Sequence, residues 1–245
     1  MGSLGGSLSA TGTGGNGAVM IADGHAGGMP SASVTWWLVA LAILGVWTSS
    51  GVAAETQPRF TALVFSKTTA YRHVSIPQGI AALKALGADH GFALDSTEDA
   101  ARFTDAELAG YKVVVFLSTT GDILDAVQKA AFERYIRSGG GFVGIHSASD
   151  TEYQWPWYGR LVGAYFANHP EIQPATIHIE DPTHPSTTDL PAVWQRTDEW
   201  YNFRSNPRGA VHVLATLDEA TYSGGKMGAD HPIAWCQVID GGRSW

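Results

Sequence analysis

The segments that decide the fold are Lys112-Val113-Val114-Val115-Phe116-Leu117 and Gly139-Gly140-Gly141-Phe142-Val143-Gly144-Ile145-His146-Ser147-Ala148. The first has the continuous apolar character of a central parallel strand. Residues 124–137 between them have helical spacing, and the three glycines end that helix before a strand at 142–145. The inward face of the helix is expected to carry Val127, Ala131 and either Tyr135 or Ile136. Strand, helix and strand in this order indicate a right-handed βαβ unit.

The same alternation extends to both sides of this unit. Strands are predicted at 60–65, 92–94, 175–179, 211–217 and 233–239. A helix capped by Ser75, with Ile80, Leu83 and Leu86 on one face, is expected to end near Gly91, and a short helix follows Thr104. The pattern predicts an α/β fold in which helices flank a doubly wound, mostly parallel sheet. We expect one domain over residues 55–245.

The composition narrows the classes of partner. A formal net charge of -8 without any Lys/Arg run argues against nucleic-acid binding. The mean hydropathy of -0.03 excludes a polytopic membrane protein. The single cysteine, Cys236, lies in an apolar run and is expected to be a buried, inert thiol. The 9 tryptophans suit either a carbohydrate site or ordinary core packing.

The first 54 residues are predicted to be a leader with a signal peptide. Residues 1–32 are rich in Gly, Ser and Ala, and 34–47 have the length of a signal h-region rather than a membrane span. Small residues at 52–54 provide a cleavage site after Ala54. We therefore expect a periplasmic or secreted bacterial protein that meets the membrane only through this segment; the alternative is an N-terminal membrane anchor.

Polar residues follow the predicted strands, where sites in doubly wound sheets lie. His146 and Ser147 follow the strand at 142–145, and Thr119 and Thr120 follow the strand at 112–117. His146 is the first candidate for proton transfer, since imidazole titrates near neutral pH. The alternative is a hydrogen-bonded core histidine.

Further candidates lie in the loops. Asp198 and Glu199 are adjacent, so on a strand only one would enter the site, with Tyr201 on the side of Glu199. Arg72 and His73 could bind a substrate hydroxyl or anion, and Asp230 with His231 forms another carboxylate–histidine pair. His169 precedes a proline, which suits either a preorganised site or an ordered loop.

Several segments together resemble the ThuA-like (trehalose utilisation) family. They are Tyr71-Arg72-His73, Gly144-Ile145-His146-Ser147, Asn168-His169-Pro170, Glu180-Asp181-Pro182-Thr183-His184-Pro185-Ser186-Thr187, Asp198-Glu199-Trp200-Tyr201-Asn202-Phe203, Val211-His212-Val213-Leu214-Ala215-Thr216 and Asp230-His231-Pro232-Ile233-Ala234-Trp235. The resemblance implies a flavodoxin-like fold similar to class I glutamine amidotransferases. His146 stands where those enzymes have a cysteine nucleophile, so glutamine hydrolysis is not expected. The family also continues into a Gly-His strand and a final helix, which this chain is expected to lack.

The resemblance implies an exported protein that acts on oxidised (3-keto) disaccharides or glycosides. His146, Glu199, Asp198 and His169 would then be catalytic. Arg72, His73, Thr119, Thr120, Ser147, Tyr201, Asp230 and His231 would bind the sugar. The alternatives are a non-catalytic sugar-binding module that partners a sugar dehydrogenase, and an inactive fragment. No cofactor is required by this chemistry and no metal ligands are assigned. A divalent metal such as zinc on His146, His169 and an acid is the alternative, which the sequence supports only weakly because no compact ligand spacing is present.

Overall fold

The structure is a computed structural model that describes residues 57–245. The leader and signal segment predicted for residues 1–54 lie outside the described residues. The strands are β1 (Thr61–Phe65), β2 (Ala93–Thr97), β3 (Val113–Leu117), β4 (Gly141–Ile145), β5 (Phe166–Asn168), β6 (Gln173–Ile179), β7 (Val193–Asp198), β8 (Asn202–Phe203), β9 (His212–Asp218), β10 (Pro232–Ile239) and β11 (Gly242–Ser244). The helices are α1 (Ile76–His90), α2 (Asp105–Leu108), α3 (Ala126–Arg137) and α4 (Pro156–Val162).

Nine of these strands form one sheet, in the order β2-β1-β3-β4-β11-β10-β9-β6-β7. The half built from β2, β1, β3 and β4 is parallel, and β11 joins it in parallel to β4. The other half, from β11 through β10, β9 and β6 to β7, is antiparallel. The predicted α/β fold is therefore confirmed, and antiparallel strands complete the sheet.

Side chains alternate across the central parallel strands β1 and β3 and are covered on both faces. Leu63 and Phe65 of β1 pack with the aromatic side chains of α3 and α4, whereas Val64 lies on the face covered by Ile80 and Leu83 of α1. This alternation is the two-residue period of a strand, and burial on both faces explains why the strands are continuously apolar.

Helix α3 begins at Ala126, because Asp125 and Gln128 form a capping box: the Asp125 carboxylate accepts from the Gln128 amide, and Gln128 Oε1 accepts from the Asp125 amide. The prediction that Val127 faces inward is wrong. Val127 is 75% exposed, since it lies in the first turn, before the buried stripe that begins at Ala131.

Two other residue predictions need correction. Leu86 was expected on the buried face of α1, yet it is 47% exposed because it lies beyond the stripe formed by Ile80 and Leu83. Cys236 is only partly buried, with Sγ 3.7 Å from His184 Nε2. Burial raises the pKa of the Cys236 thiol, which keeps it protonated and unreactive. None of the helices in residues 57–245 has the length and apolar character to cross a membrane.

The turn that leads into α3 depends on a buried carboxylate. Glu152 is fully buried and adopts φ 56°, and its Oε1 accepts hydrogen bonds from the amides of Ile123 (3.0 Å) and Leu124 (2.9 Å). Its Oε2 pairs with Lys129. This carboxylate fixes the segment between β3 and α3 onto the segment that follows β4.

We predict that Glu152→Gln lowers the free energy of unfolding by about 2 kcal/mol, because a buried charge pair is broken and charge-assisted hydrogen bonds are weakened. Denaturant unfolding checks this. Glu107→Gln is the matched control, since its pair with Arg102 is exposed and should change stability by less than about 0.5 kcal/mol. Equal effects of the two variants would contradict the role of Glu152.

Candidate functional site

The site begins at the sharp turn after β4. His146 follows the strand directly and adopts φ 56°, a left-handed conformation that is uncommon for a residue with a Cβ. Residues His146–Asp150 then form a 3₁₀ turn. Gly144 allows this turn to fold back, because a Cβ there would lie 3.2 Å from the Ala148 Cβ. The turn presents the imidazole of His146 at the carboxyl edge of the sheet.

Three segments of the chain meet at this imidazole. Nε2 of His146 lies 3.3 Å from Oε2 of Glu199 and 3.1 Å from the hydroxyl of Tyr201. His73, from the loop between β1 and α1, brings its Nε2 to 3.8 Å from the same Glu199 oxygen. Its ring lies edge-on to His146, with centroids 4.5 Å apart. We call His73, His146, Glu199 and Tyr201 the histidine–glutamate cluster.

Glu199 reaches the cluster from a loop rather than from a strand. Strand β7 ends at Asp198, whose carboxylate accepts a hydrogen bond from the Glu199 amide at 2.9 Å. Trp200 is buried behind them, and its Nε1 donates to the Gln173 carbonyl at 2.7 Å. Glu199 and Tyr201 both contact His146, as expected. The expectation that only one of Asp198 and Glu199 would enter the site is wrong: both line the cavity, because β7 ends at Asp198 and strand alternation stops there.

Predicted residues of the parallel half form hydrogen bonds to the cluster or to the backbone next to it. Ser147 is fully buried, and its Oγ lies 3.3 Å from Nδ1 of His73. Thr119 is hydrogen-bonded to Thr151 at 2.9 Å, and Thr151 donates to the Ser147 carbonyl. Thr120 donates to the Tyr71 carbonyl at 2.7 Å and so holds the loop of His73. Both predicted threonines are fully buried and hold the backbone.

His231 supports the cluster from the antiparallel half. It is fully buried, and its Nε2 lies 2.9 Å from the Tyr201 carbonyl. Its Nδ1 lies 2.9 Å from Oε1 of Glu219, which also accepts from the Met227 amide. The structure therefore places His231 behind Tyr201, where it fixes the backbone of that residue.

The other predicted residues lie apart from the cluster or at its rim. Arg72 forms a two-point ion pair with Glu98, at 2.6 and 3.1 Å. Asp230 accepts from Arg208 at 2.6 to 2.9 Å. His169 is exposed, with its ring centroid 5.8 Å from that of Tyr201. These arrangements separate Arg72 and Asp230 from the site and leave His169 at its edge.

A cavity of about 540 Å³ opens beside the cluster. His146, Glu199 and Tyr201 line one end of it, together with Asp198. The remaining wall includes four tryptophans: Trp194, Trp200, Trp235 and Trp245. The abundance of tryptophan in the sequence was the only signal for this wall, and it could not indicate which of the nine indoles would converge.

Comparisons with known proteins identify the family to which this fold belongs. The sequence profile of the family described as trehalose utilisation (ThuA) matches residues 61–245. The chain belongs to the ThuA family. A ThuA-like protein from Bacteroides uniformis is 30% identical, with a TM-score of 0.65 over 76% of this chain and 81% of that chain. A ThuA-like protein from Parabacteroides merdae shares the fold at 20% identity, with a TM-score of 0.63 over 76% of this chain and 77% of that one. No curated protein matches the chain.

Burial sets the protonation of the cluster in this ThuA-family protein. Desolvation lowers the pKa of His146, and the neighbouring His73 lowers it further, against the opposing effect of Glu199. Desolvation also lowers the pKa of His73. Burial and then the charge of Glu199 raise the pKa of Tyr201, so that its hydroxyl remains a proton donor. At neutral pH the cluster therefore holds two neutral imidazoles and one phenol.

These shifts predict how the stability of the ThuA domain depends on pH. In the unfolded chain the histidines take up protons near their ordinary pKa of 6.5, whereas His146 in the folded state resists protonation. The contribution of His146 to the free energy of unfolding is therefore fully present above pH 6.5. It is lost as the pH falls below 6.5, because the unfolded chain then binds a proton that the folded state does not bind. We predict a smaller loss of melting temperature between pH 7.5 and 5.5 for His146→Gln than for the unsubstituted protein. Identical pH profiles of the two proteins would contradict the assignment.

Proposed function

We propose that the histidine–glutamate cluster acts on the carbonyl of an oxidised sugar, such as a 3-keto disaccharide or glycoside. The observation that supports this most directly is that His146, Glu199 and Tyr201 contact one another and line a cavity that also has four tryptophans in its wall. The second neutral imidazole, that of His73, lies against His146. Flat indole faces pack well against sugar rings. The cavity volume of about 540 Å³ is within the range of small-molecule sites.

The chemistry proposed is removal of the proton next to the carbonyl. The His146–Glu199 pair accepts the C–H proton, the bonding electrons form a carbon–carbon double bond, and the carbonyl oxygen becomes an enolate. The Tyr201 hydroxyl, whose raised pKa keeps its proton, donates a hydrogen bond to that oxygen. Return of the proton to another carbon isomerises the sugar. Departure of the glycosidic oxygen from the carbon next to the enolate completes an elimination.

The keto-sugar chemistry indicates the source of the substrate, and the N-terminal sequence indicates the location of the protein. A 3-keto sugar arises when a secondary hydroxyl is oxidised, so a sugar dehydrogenase is the class of enzyme that must precede this one. We propose that the protein acts after export, which rests on the h-region of residues 34–47 and the small residues at 52–54. No step of the proposed reaction is a net oxidation or reduction.

The deciding experiment compares turnover of 3-keto-trehalose with turnover of trehalose. We predict conversion of the keto-sugar alone, reduced about 100-fold or more in His146→Gln and Glu199→Gln because proton transfer is lost. Glu107→Gln is the control: it makes the same chemical change as Glu199→Gln, but on α2 and outside the cluster, and should retain full turnover.

The same variants separate an enzyme from a binding module. If the unsubstituted protein binds the keto-sugar calorimetrically without converting it, the protein is the accessory sugar-binding module and the catalytic proposal fails. Equal turnover of the keto-sugar by the unsubstituted protein and His146→Gln would place the chemistry elsewhere. A cooperative melt of each variant confirms that a lost activity is not a lost fold.

A further inference from the structure

The three ligand-type atoms of the cluster have the spacing of a metal site. Within residues 57–245, one ligand-type atom from each of His73, His146 and Glu199 lies within 4.8 Å of the other two. The two measured edges that involve Glu199 are 3.3 and 3.8 Å. A tetrahedral zinc ion with ligands at about 2.1 Å has edges of about 3.4 Å between its ligands.

We propose that His73, His146 and Glu199 together bind one divalent cation, zinc in preference to magnesium or calcium. Two imidazole nitrogens and one carboxylate oxygen form the ligand set of catalytic zinc sites, in which the fourth position stays open for water or substrate. Magnesium and calcium prefer sites built entirely from oxygen ligands. Sequence spacing could not indicate this set, because its members are separated by 73 and 53 residues along the chain.

The surroundings fix the ligands as metal sites require. The buried Ser147 hydroxyl lies 3.3 Å from Nδ1 of His73, so the other ring nitrogen is the one that faces the site. The left-handed turn at His146 and the Asp198 contact to the Glu199 amide hold the remaining two ligands on short, constrained segments. The Tyr201 hydroxyl, 3.1 Å from His146 Nε2, lies next to the open position.

Two of the three ligands, His146 and Glu199, line the cavity. The side chains of His73, His146 and Glu199 are 11%, 25% and 21% exposed, so the site is partly shielded and still accessible. This inference deepens the proposed function and, for its role in turnover, rests on it. A cation there would polarise the sugar carbonyl as a Lewis acid. His146 and Glu199 could not accept the C–H proton while they bind the cation, so Asp198, which lines the same cavity and is not in the ligand set, would replace them as the proton acceptor.

The test begins with the full chain stripped by a chelator and titrated with Zn²⁺ in a calorimeter. We expect one Zn²⁺ per chain, a rise in melting temperature on binding, and no comparable response to Mg²⁺. Co²⁺ should give the visible absorption bands of a tetrahedral site. His73→Gln, His146→Gln and Glu199→Gln should each weaken Zn²⁺ binding at least 10-fold, since removing even a supporting contact to a ligand typically costs that much.

The matched control is the double variant that carries both His212→Gln and Glu107→Gln. His212 pairs with Asp181 at 2.8 Å and Glu107 with Arg102, both outside the cluster, so this variant should bind Zn²⁺ as the unsubstituted protein does. The proposal is overturned if Zn²⁺ binds below one equivalent, or if the cluster variants, melting cooperatively, bind it as tightly as the control does.

Turnover separates this inference from the proposed function. Full turnover of 3-keto-trehalose by the stripped protein, with no stoichiometric Zn²⁺ binding, would overturn the metal site and leave the carbonyl chemistry standing. Stoichiometric Zn²⁺ binding lost in the cluster variants, without any turnover of keto-sugars, would support the metal site and overturn the proposed function.

Discussion

The contact between His146 and Glu199, 3.3 Å from nitrogen to oxygen, joins the two halves of the sheet. His146 directly follows β4 of the parallel half, whereas Glu199 follows β7 at the far edge of the antiparallel half. The strands β11, β10, β9 and β6 lie between β4 and β7. The segment after β7 must therefore turn back across the sheet before its carboxylate can reach the imidazole.

Buried polar contacts hold residues 199–202, the segment that follows β7, in place. The Trp200 indole donates to the Gln173 carbonyl, and the Tyr201 carbonyl meets His231. Asn202 donates to Asn168 at 3.0 Å and accepts from the Lys226 amide at 2.7 Å. Because buried polar groups cost free energy when left unpaired, each contact fixes one residue of the segment in register. The position of Glu199 is thus set by its neighbours on both sides.

The parallel half supplies the rigid counterpart of this loop. Its strands β1 and β3 are buried on both faces. His146 lies directly between β4, which contains Gly144, and the rest of the 3₁₀ turn. The imidazole consequently has little freedom, which is the property that either proton transfer or metal binding demands. The cavity beside it is walled mainly by side chains of the antiparallel half, including Trp194 and Trp235. The parallel half positions His146, and the antiparallel half forms most of the cavity wall beside it.

The sequence by itself determined the parallel half. Continuous apolar strands, capped helices and the glycine stop are local signals, and they predicted β1, β3, β4, α1 and α3 to within a few residues because local propensity and the buried pattern agree there. They also singled out His146, since the residue after a central strand lies at the edge where sites form. Strand β7 and the short strands β5, β8 and β11 were missed, because short or partly exposed strands lack a continuous apolar run.

Only the tertiary structure decided which candidates meet. Arg72 and His73 are neighbours in the chain, yet Arg72 pairs with Glu98 while His73 joins the cluster. Asp230 and His231 likewise separate, one to Arg208 at the surface and the other beneath Tyr201. Adjacent side chains point in different directions, and their partners lie 22 or more residues away in sequence. Long-range packing chooses among such partners, and no local pattern of residues records that choice.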